Sequence, residues 1–385
     1  MSKKRFLITA LVLVVLAGLV YLQVRAWKKF DWHRFWVATH NTNKFYLVAG
    51  VALVYADYIL RAMRWKIMLR PVCPEAKTSD LVAPTVIGFA GLALLGRPGE
   101  FIRPYLISRK VNLSMASQLA VWTVERIFDM GAFALIMAVN ILWSRETLSR
   151  LPGFANSARR HLLGQEISSF TYFEMFALAL LAGVCFVGLV AFRVRKNPAT
   201  ASSVFARLFG RISPTFGHAV GKRVLAFGQG LNTVEDMKAF FQLSGLSIVI
   251  WLFIGLAYLA VTHAYSIHKL SQMTLSSVFL LTAASVVGGI LQLPVVGGGS
   301  QLATIGMLRG VFNLSPELAT SCGIMLWLVT FMSVTPAGLA MARSEHVSIT
   351  QIEEESIQQE ERAQEEESGD RDIGSSRHPS RRDIR

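Results

Sequence analysis

Long apolar runs separated by short basic stretches dominate the first 343 positions. Six of them are near the roughly 20 helical residues that a bilayer core of about 30 Å requires. They are residues 6–22, 45–63, 116–143, 173–192, 240–262 and 318–342. The first follows Lys3, Lys4 and Arg5 and leads to Arg25, Trp27, Lys28 and Lys29, with no small-x-small cleavage site between. It reads as an uncleaved span with an interfacial anchor rather than a signal peptide. Two further apolar segments break early. Residues 84–95 run into Gly96-Arg97-Pro98-Gly99-Glu100, and residues 278–293 run into Pro294-Val295-Val296-Gly297-Gly298-Gly299. Each resumes as a shorter apolar stretch, residues 101–107 and 302–312. Gly and Pro open the helix, and the freed backbone groups need partners that lipid cannot supply. The pattern predicts two re-entrant hairpins buried in protein.

The distribution of bases orients these segments. With six spans, two re-entrant hairpins and an inside N-terminus, the inside segments hold 20 Lys and Arg and the outside segments 11, before the C-terminal tail is counted. Treating the hairpins as full spans would put the basic loop after residue 192 outside. The positive-inside rule therefore favours re-entrance, with both termini cytoplasmic. Two spans, a hairpin and a span fill residues 1–143. The same order recurs in residues 173–343 after an external loop at 144–172. The two units start on opposite sides, as inverted repeats do. Asn112-Leu113-Ser114 and Asn313-Leu314-Ser315 follow the two hairpins at an offset of 201 residues. Both triplets can also serve as ordinary helix N-caps.

Composition agrees with this reading. Of 385 residues, 52% are hydrophobic and 17% charged, and the mean hydropathy is +0.43. Soluble domains are nearer 25% charged. The net charge of +14 is uneven, because residues 344–385 hold 12 acids and 6 bases and the remainder is strongly basic. No basic stretch interleaves with aromatics on a soluble module, so nucleic acid is not an expected partner. The excess marks cytoplasmic loops and anionic lipid surfaces. Residues 193–239 form a basic cytoplasmic loop with Phe205, Leu208, Phe209 and Ile212 at helical spacing. Residues 353–385 have the composition of a disordered tail. Cys73, Cys185 and Cys322 form no CxxC, the histidines form no metal-ligand spacing, and no nucleotide-binding motif occurs. No metal or other cofactor is expected.

Four constellations carry candidate chemistry. Arg97, Gly99, Glu100 and Arg103 surround a helix break in the first hairpin, where arginines can fork onto phosphate and glycines admit close approach. A span-end anchor is the alternative. Glu125, Arg126 and Asp129 share a helical face and sum to −1, a charge that Arg97 or Arg103 could balance; a self-neutralised buried network is the alternative. Arg61-Ala62-Met63-Arg64-Trp65-Lys66 reads either as an interface anchor or as a headgroup-capturing end, with Arg64 its binding residue. Pro294, Gly297, Gly298, Gly299 and Gln301 offer backbone without charge, either to a ligand or as a packed kink.

Arg64-Trp65, Gly96-Arg97-x-Gly99-Glu100-x-x-Arg103, Glu125-Arg126-x-x-Asp129, Phe227-Gly228-x-Gly230-Leu231 and Pro294…Gly297-Gly298-Gly299 occur in this order. The set resembles the lysylphosphatidylglycerol synthase transmembrane-region, or flippase-like, family over about residues 5–343. The resemblance implies a polytopic inner-membrane protein that moves lipids or lipid-linked sugars between leaflets, beside glycosyltransferase, hopanoid or aminoacyl-lipid pathways. The family's synthases add a soluble aminoacyl-transferase domain, whereas about 42 residues follow the last span here, so aminoacyl transfer is not expected. Many relatives carry a Glu soon after the second glycine turn, where this chain reads Ser300-Gln301-Leu302-Ala303.

The expectation is an all-α polytopic lipid translocase for an anionic phospholipid or a polyprenyl-phosphate-linked sugar. Arg97, Arg103 and Arg64 would bind phosphate, and Glu100, Glu125 and Asp129 would orient them. An integral-membrane transferase using Glu100 or Asp129 as a base is the second reading. A non-catalytic partner of a lipid-biosynthesis or glycosyltransferase complex is the third.

Overall fold

A computed structural model of the chain describes residues 30–155, 160–162, 165–167, 169–211, 213, 217, 220–221, 237–290 and 298–345. The expected first span and the tail at 353–385 lie outside these residues. Apart from one short antiparallel ribbon, Arg160–Leu162 with Gln165–Ile167, the regular structure is helical. The longer helices are α1 (Trp32–His40), α2 (Lys44–Leu69), α3 (Thr78–Leu95), α4 (Ile102–Lys110), α5 (Met115–Trp143), α6 (Ser169–Lys196) and α7 (Pro198–Gly210). They continue with α8 (Met237–His263), α9 (Leu275–Ile290), α10 (Gly298–Gly310), α11 (Pro316–Trp327) and α12 (Val334–Ser344). Among the described residues, five stretches are long and apolar enough to cross a membrane: α2, α3, residues 117–143 of α5, α8, and residues 316–344.

Three features differ from the sequence reading. The segment expected at 84–95 is the end of a longer helix that starts at Thr78 and carries Pro84 inside it. Its polar first turn, with Asp80, suits a helix N-terminus, so the apolar run marks the buried part and not the start. The last expected span is broken by a π-helical turn at Leu328–Met332. Tyr55 Oη donates to the Ser333 carbonyl beside that wide turn (2.8 Å), giving a carbonyl there a partner. Finally, α1 follows the expected first span, with Asp31 Oδ1 accepting from Arg34 N (3.0 Å) as its cap. In the basic loop, α7 stacks Phe205 on Phe209 at 6.4 Å; Ile212 lies outside the described residues.

The chain divides into two compact units, one running to Thr78 and resuming over Leu119–Ser333, the other comprising Ser79–Gln118 and the residues from Val334. In the first unit α2 and α8 pack antiparallel along their whole length. Asn43 N donates to Ala264 O (2.7 Å) at one end. Gly50 faces Ala257 and Val261 further along, and Arg70 Nη1 meets Gln242 Oε1 (3.2 Å) at the other end. Tyr258, Val261, Tyr265, Leu308, Leu318, Cys322 and Leu326 form the largest core cluster, which joins α8, α10 and α11. In the second unit Ile87, Ile102, Tyr105 and Leu106 join α3 to α4.

Each unit contains a helical hairpin with a glycine at its crossing. A Cβ on Gly88 would fall 2.4 Å from the Arg103 Cβ, and one on Gly288 would fall 2.5 Å from the Ala303 Cβ. The two crossings thus have the same sequence separation. Both hairpins also hold a glycine at positive φ, Gly96 at 69° and Gly298 at 59°. Among the described residues two non-glycines have positive φ, Asn112 at 53° and Asn313 at 50°. They are the first residues of the repeated triplets. In both, the serine caps the next helix: Ser114 Oγ accepts from Ser117 N (3.2 Å) and Ser315 Oγ from Leu318 N (3.4 Å). The N-capping expected of the triplets is observed, and each Asn ends a hairpin in the left-handed conformation that asparagine tolerates.

The crossing predicts a stability contrast. Gly288→Ala is expected to cost about 1–3 kcal/mol by overpacking, since the new methyl meets backbone at 2.4 Å on Gly299 O. Gly306→Ala, which has nothing within 4 Å, should cost nothing and gain up to about 1 kcal/mol. Thermal unfolding of the two variants in detergent checks this.

Candidate functional site

Three helices of the first unit bring six charged side chains together. On α2, Asp57 and Arg61 are four residues apart, and Arg61 Nε donates to Asp57 Oδ2 (2.8 Å). One helical turn on, Arg64 is fully buried and forks between two carboxylates of α5. Its Nη2 lies 2.6 Å from Glu125 Oε1 and its Nη1 lies 2.5 Å from Asp129 Oδ1. The same Nη1 donates to Ser247 Oγ of α8 (2.8 Å), and Trp251 Nε1 donates to the Asp129 carbonyl (3.0 Å). Arg126 is looser: its Nη2 reaches Glu125 Oε2 at 3.4 Å and Asp129 Oδ2 at 3.3 Å, and its guanidinium lies 5.8 Å from the Trp122 ring. Arg61 Nη1 approaches the same Asp129 Oδ2 at 3.7 Å. The site therefore holds three arginines and three carboxylates, and is neutral overall.

Its distribution is uneven. Arg64 is 0% exposed, whereas the Arg126 side chain is 39% exposed. Among the described residues, Asp57 Oδ1, Arg64 Nε and Arg126 Nε are buried atoms without a hydrogen-bond partner. Arg64 and Trp65 are both fully buried, so this end of α2 is not the interface anchor considered above. The reason is the α5 carboxylates, which draw the arginine inward. Arg64 brings +1 to the −1 of Glu125, Arg126 and Asp129, and Asp57 and Arg61 neutralise each other; Arg64 is not one of the two arginines, Arg97 and Arg103, that the sequence suggests for this role. Asp57, Ser247 and Trp251 were not among the expected residues. Only Asp57 left a trace, its four-residue spacing to Arg61.

The remaining candidates sit on the hairpins. A 3-10 turn, Arg97–Phe101, follows Gly96 in the second unit. Gly99 in it is buried against the Gly91 backbone, Glu100 is half-buried, and Arg103 is 4% exposed with its guanidinium 5.3 Å from the Phe89 ring. In the other hairpin Gly298 and Gly299 open α10, Gln301 is buried, and Ser285 and Ser300 share a hydrogen bond of 2.5 Å between the arms. Pro294 and Gly297 lie outside the described residues.

A network of this kind, on helices this apolar, is costly in a bilayer unless it is used or is fully paired. Glycosyltransferase AglD of Haloferax volcanii is 23% identical over 318 residues, which is 81% of this chain and 51% of that protein. The chain thus spans about half the length of this curated relative. No solved structure matches it. The family described as lysylphosphatidylglycerol synthase TM region matches residues 7–338, a stretch that takes in the charged network and both hairpins. The chain belongs to that family and is a multi-pass membrane-embedded protein.

Proposed function

We propose that the protein passes an anionic phospholipid or a polyprenyl-phosphate-linked sugar between the leaflets of the inner (plasma) membrane. The observation that carries the reading is the six-charge network held by α2, α5 and α8. Translocon-type scales put one unpaired Arg or Asp at the middle of a span at about 2.5–3.5 kcal/mol. Six such groups persist because they pair, and a paired set can exchange a carboxylate for a phosphate. Arg126, partly exposed and held by ion pairs of 3.3 and 3.4 Å, is the first arginine a headgroup meets. Arg64 holds Glu125 and Asp129 in place behind it. Arg97 and Arg103, with Glu100 between them, receive the phosphate on the first hairpin, and the backbone of Gly298, Gly299 and Gln301 lines the second.

The proposed topology is six spans and two re-entrant hairpins in inverted repeats, residues 1–143 and 173–343, with both termini cytoplasmic. Short arms support re-entrance: the 9 residues of α4 and the 13 of α10 reach about 13 and 20 Å, short of a hydrocarbon core of about 30 Å. The matched Asn112 and Asn313 and the antiparallel α2–α8 pair support the repeat, because an in-plane two-fold axis places equivalent helices side by side and reversed. Cysteines placed at the exposed positions Lys269 and Arg207 should label from opposite sides of the membrane. Labelling of both from one side would reject the topology.

The functional test is leaflet exchange. Proteoliposomes with a fluorescent phosphatidylglycerol should lose signal from both leaflets to an external quencher, while protein-free vesicles retain the inner half. A second reading has one observation in its favour, the similarity to a protein named as a glycosyltransferase. In it the chain is the membrane part, or a partner, of a glycosyltransferase for a lipid-linked sugar. A covalent glycolipid product without exchange would favour that reading.

A further inference from the structure

An anionic headgroup entering the network raises a problem of charge. Arg61, Arg64 and Arg126 already balance Asp57, Glu125 and Asp129. A phosphodiester would leave the buried set at −1, which a water-poor site resists. One carboxylate has room for a proton. Both oxygens of Glu125 and both of Asp129 meet arginines, whereas Asp57 Oδ1 is buried with no partner among the described residues.

Resting on the lipid reading above, we infer that Asp57 takes up one proton when an anionic headgroup binds Arg126, so that headgroup occupancy and proton movement are coupled. An O–H bond forms at Asp57 Oδ1 as the donor bond of a hydronium ion or protonated buffer breaks and leaves neutral water or the free base. Arg61 then loses its anionic partner at 2.8 Å and turns to Asp129 Oδ2, now 3.7 Å away. That oxygen is the one Arg126 holds at 3.3 Å. Arg126 is released to the phosphate. Three arginines, Glu125, Asp129 and the phosphodiester again sum to zero, and departure of the headgroup returns the proton. The groups that act on Asp57 are Tyr58, Arg61 and Arg64 on α2 and Asp129 on α5, and Glu125 and Arg126 stand beside Asp129 on the same helix. On α8, Ser247 meets Arg64, and the one ionisable side chain between Lys238 and His263 is Tyr258, which faces Ser285 and Thr330. The π turn adds none.

Calorimetric titration of dihexanoyl-phosphatidylglycerol into the detergent-solubilised full chain, in buffers of different ionisation heat, counts the protons. The wild type should take up close to one proton per lipid near neutral pH, and its affinity should fall by up to about tenfold per pH unit above that. Asp57→Asn should bind with no uptake and a flat pH profile, and Asp57→Glu should restore both. Binding by the wild type without proton uptake overturns the coupling and leaves the lipid reading standing, even where Asp57→Asn does not fold. Uptake that persists in Asp57→Asn assigns the proton elsewhere and also overturns it. No binding by the wild type at any pH rejects the lipid reading and the coupling together.

Discussion

Arg64→Ala should yield almost no folded protein. The substitution takes from Glu125 and Asp129 the guanidinium that both grip, and leaves the longer contacts to Arg126 and Arg61. Breaking one buried pair costs about 3–5 kcal/mol, and Arg64 belongs to two. Total stability is of order 5–15 kcal/mol, so the loss is comparable to the whole. Extraction yield and thermal melting in detergent measure it. Arg64→Lys keeps a charge without the fork and should fall between. Removing one acid as well, in Arg64→Ala with Asp129→Asn, should recover part of the yield. A wild-type melting temperature for Arg64→Ala would show that the network contributes nothing to folding.

Arg103→Ala should have the opposite character, with exchange reduced at least about a hundredfold and folding nearly intact. Ala303 occupies against Gly288 the place that Arg103 occupies against Gly88. A methyl is therefore enough to build such a crossing. Losing the guanidinium over Phe89 removes a cation–π contact of about 0.5–2 kcal/mol. Arg103→Lys should restore exchange in part, because an ammonium is a point charge and does not hold two phosphate oxygens. Full exchange activity in Arg103→Ala liposomes would remove this residue from the headgroup path.

The positions of α2, α5, α8 and the last span were legible because a bilayer imposes a long apolar run whatever the tertiary packing. Helix ends set by polar chemistry were less so. Thr78-Ser79-Asp80 begins α3 ahead of its apolar part, and the π turn at Leu328–Met332 leaves no mark in hydropathy. The candidate site was legible in pieces. Spacing of three and four residues placed Glu125, Arg126 and Asp129 on one face, but spacing says nothing about which helix lies opposite. That Arg64 meets the trio is a fact of packing between α2 and α5. Ser247 had no signal at all, since a serine in an apolar helix looks the same whether or not an arginine reaches it.

The pairing of α2 with α5 also bears on how the protein is made. Asp57 and Arg61, four residues apart, can neutralise each other as soon as α2 forms, but Arg64 has no acid on its own helix left to meet. Its partners lie 61 and 65 residues later in the chain. At about 5–20 residues per second of synthesis, the ribosome needs roughly 3–13 s to deliver them. During that interval a helix with an unmatched guanidinium is presented for insertion. Insertion of α2 ahead of α5 would carry the cost of one unpaired arginine, about 2.5–3.5 kcal/mol, until the carboxylates arrive.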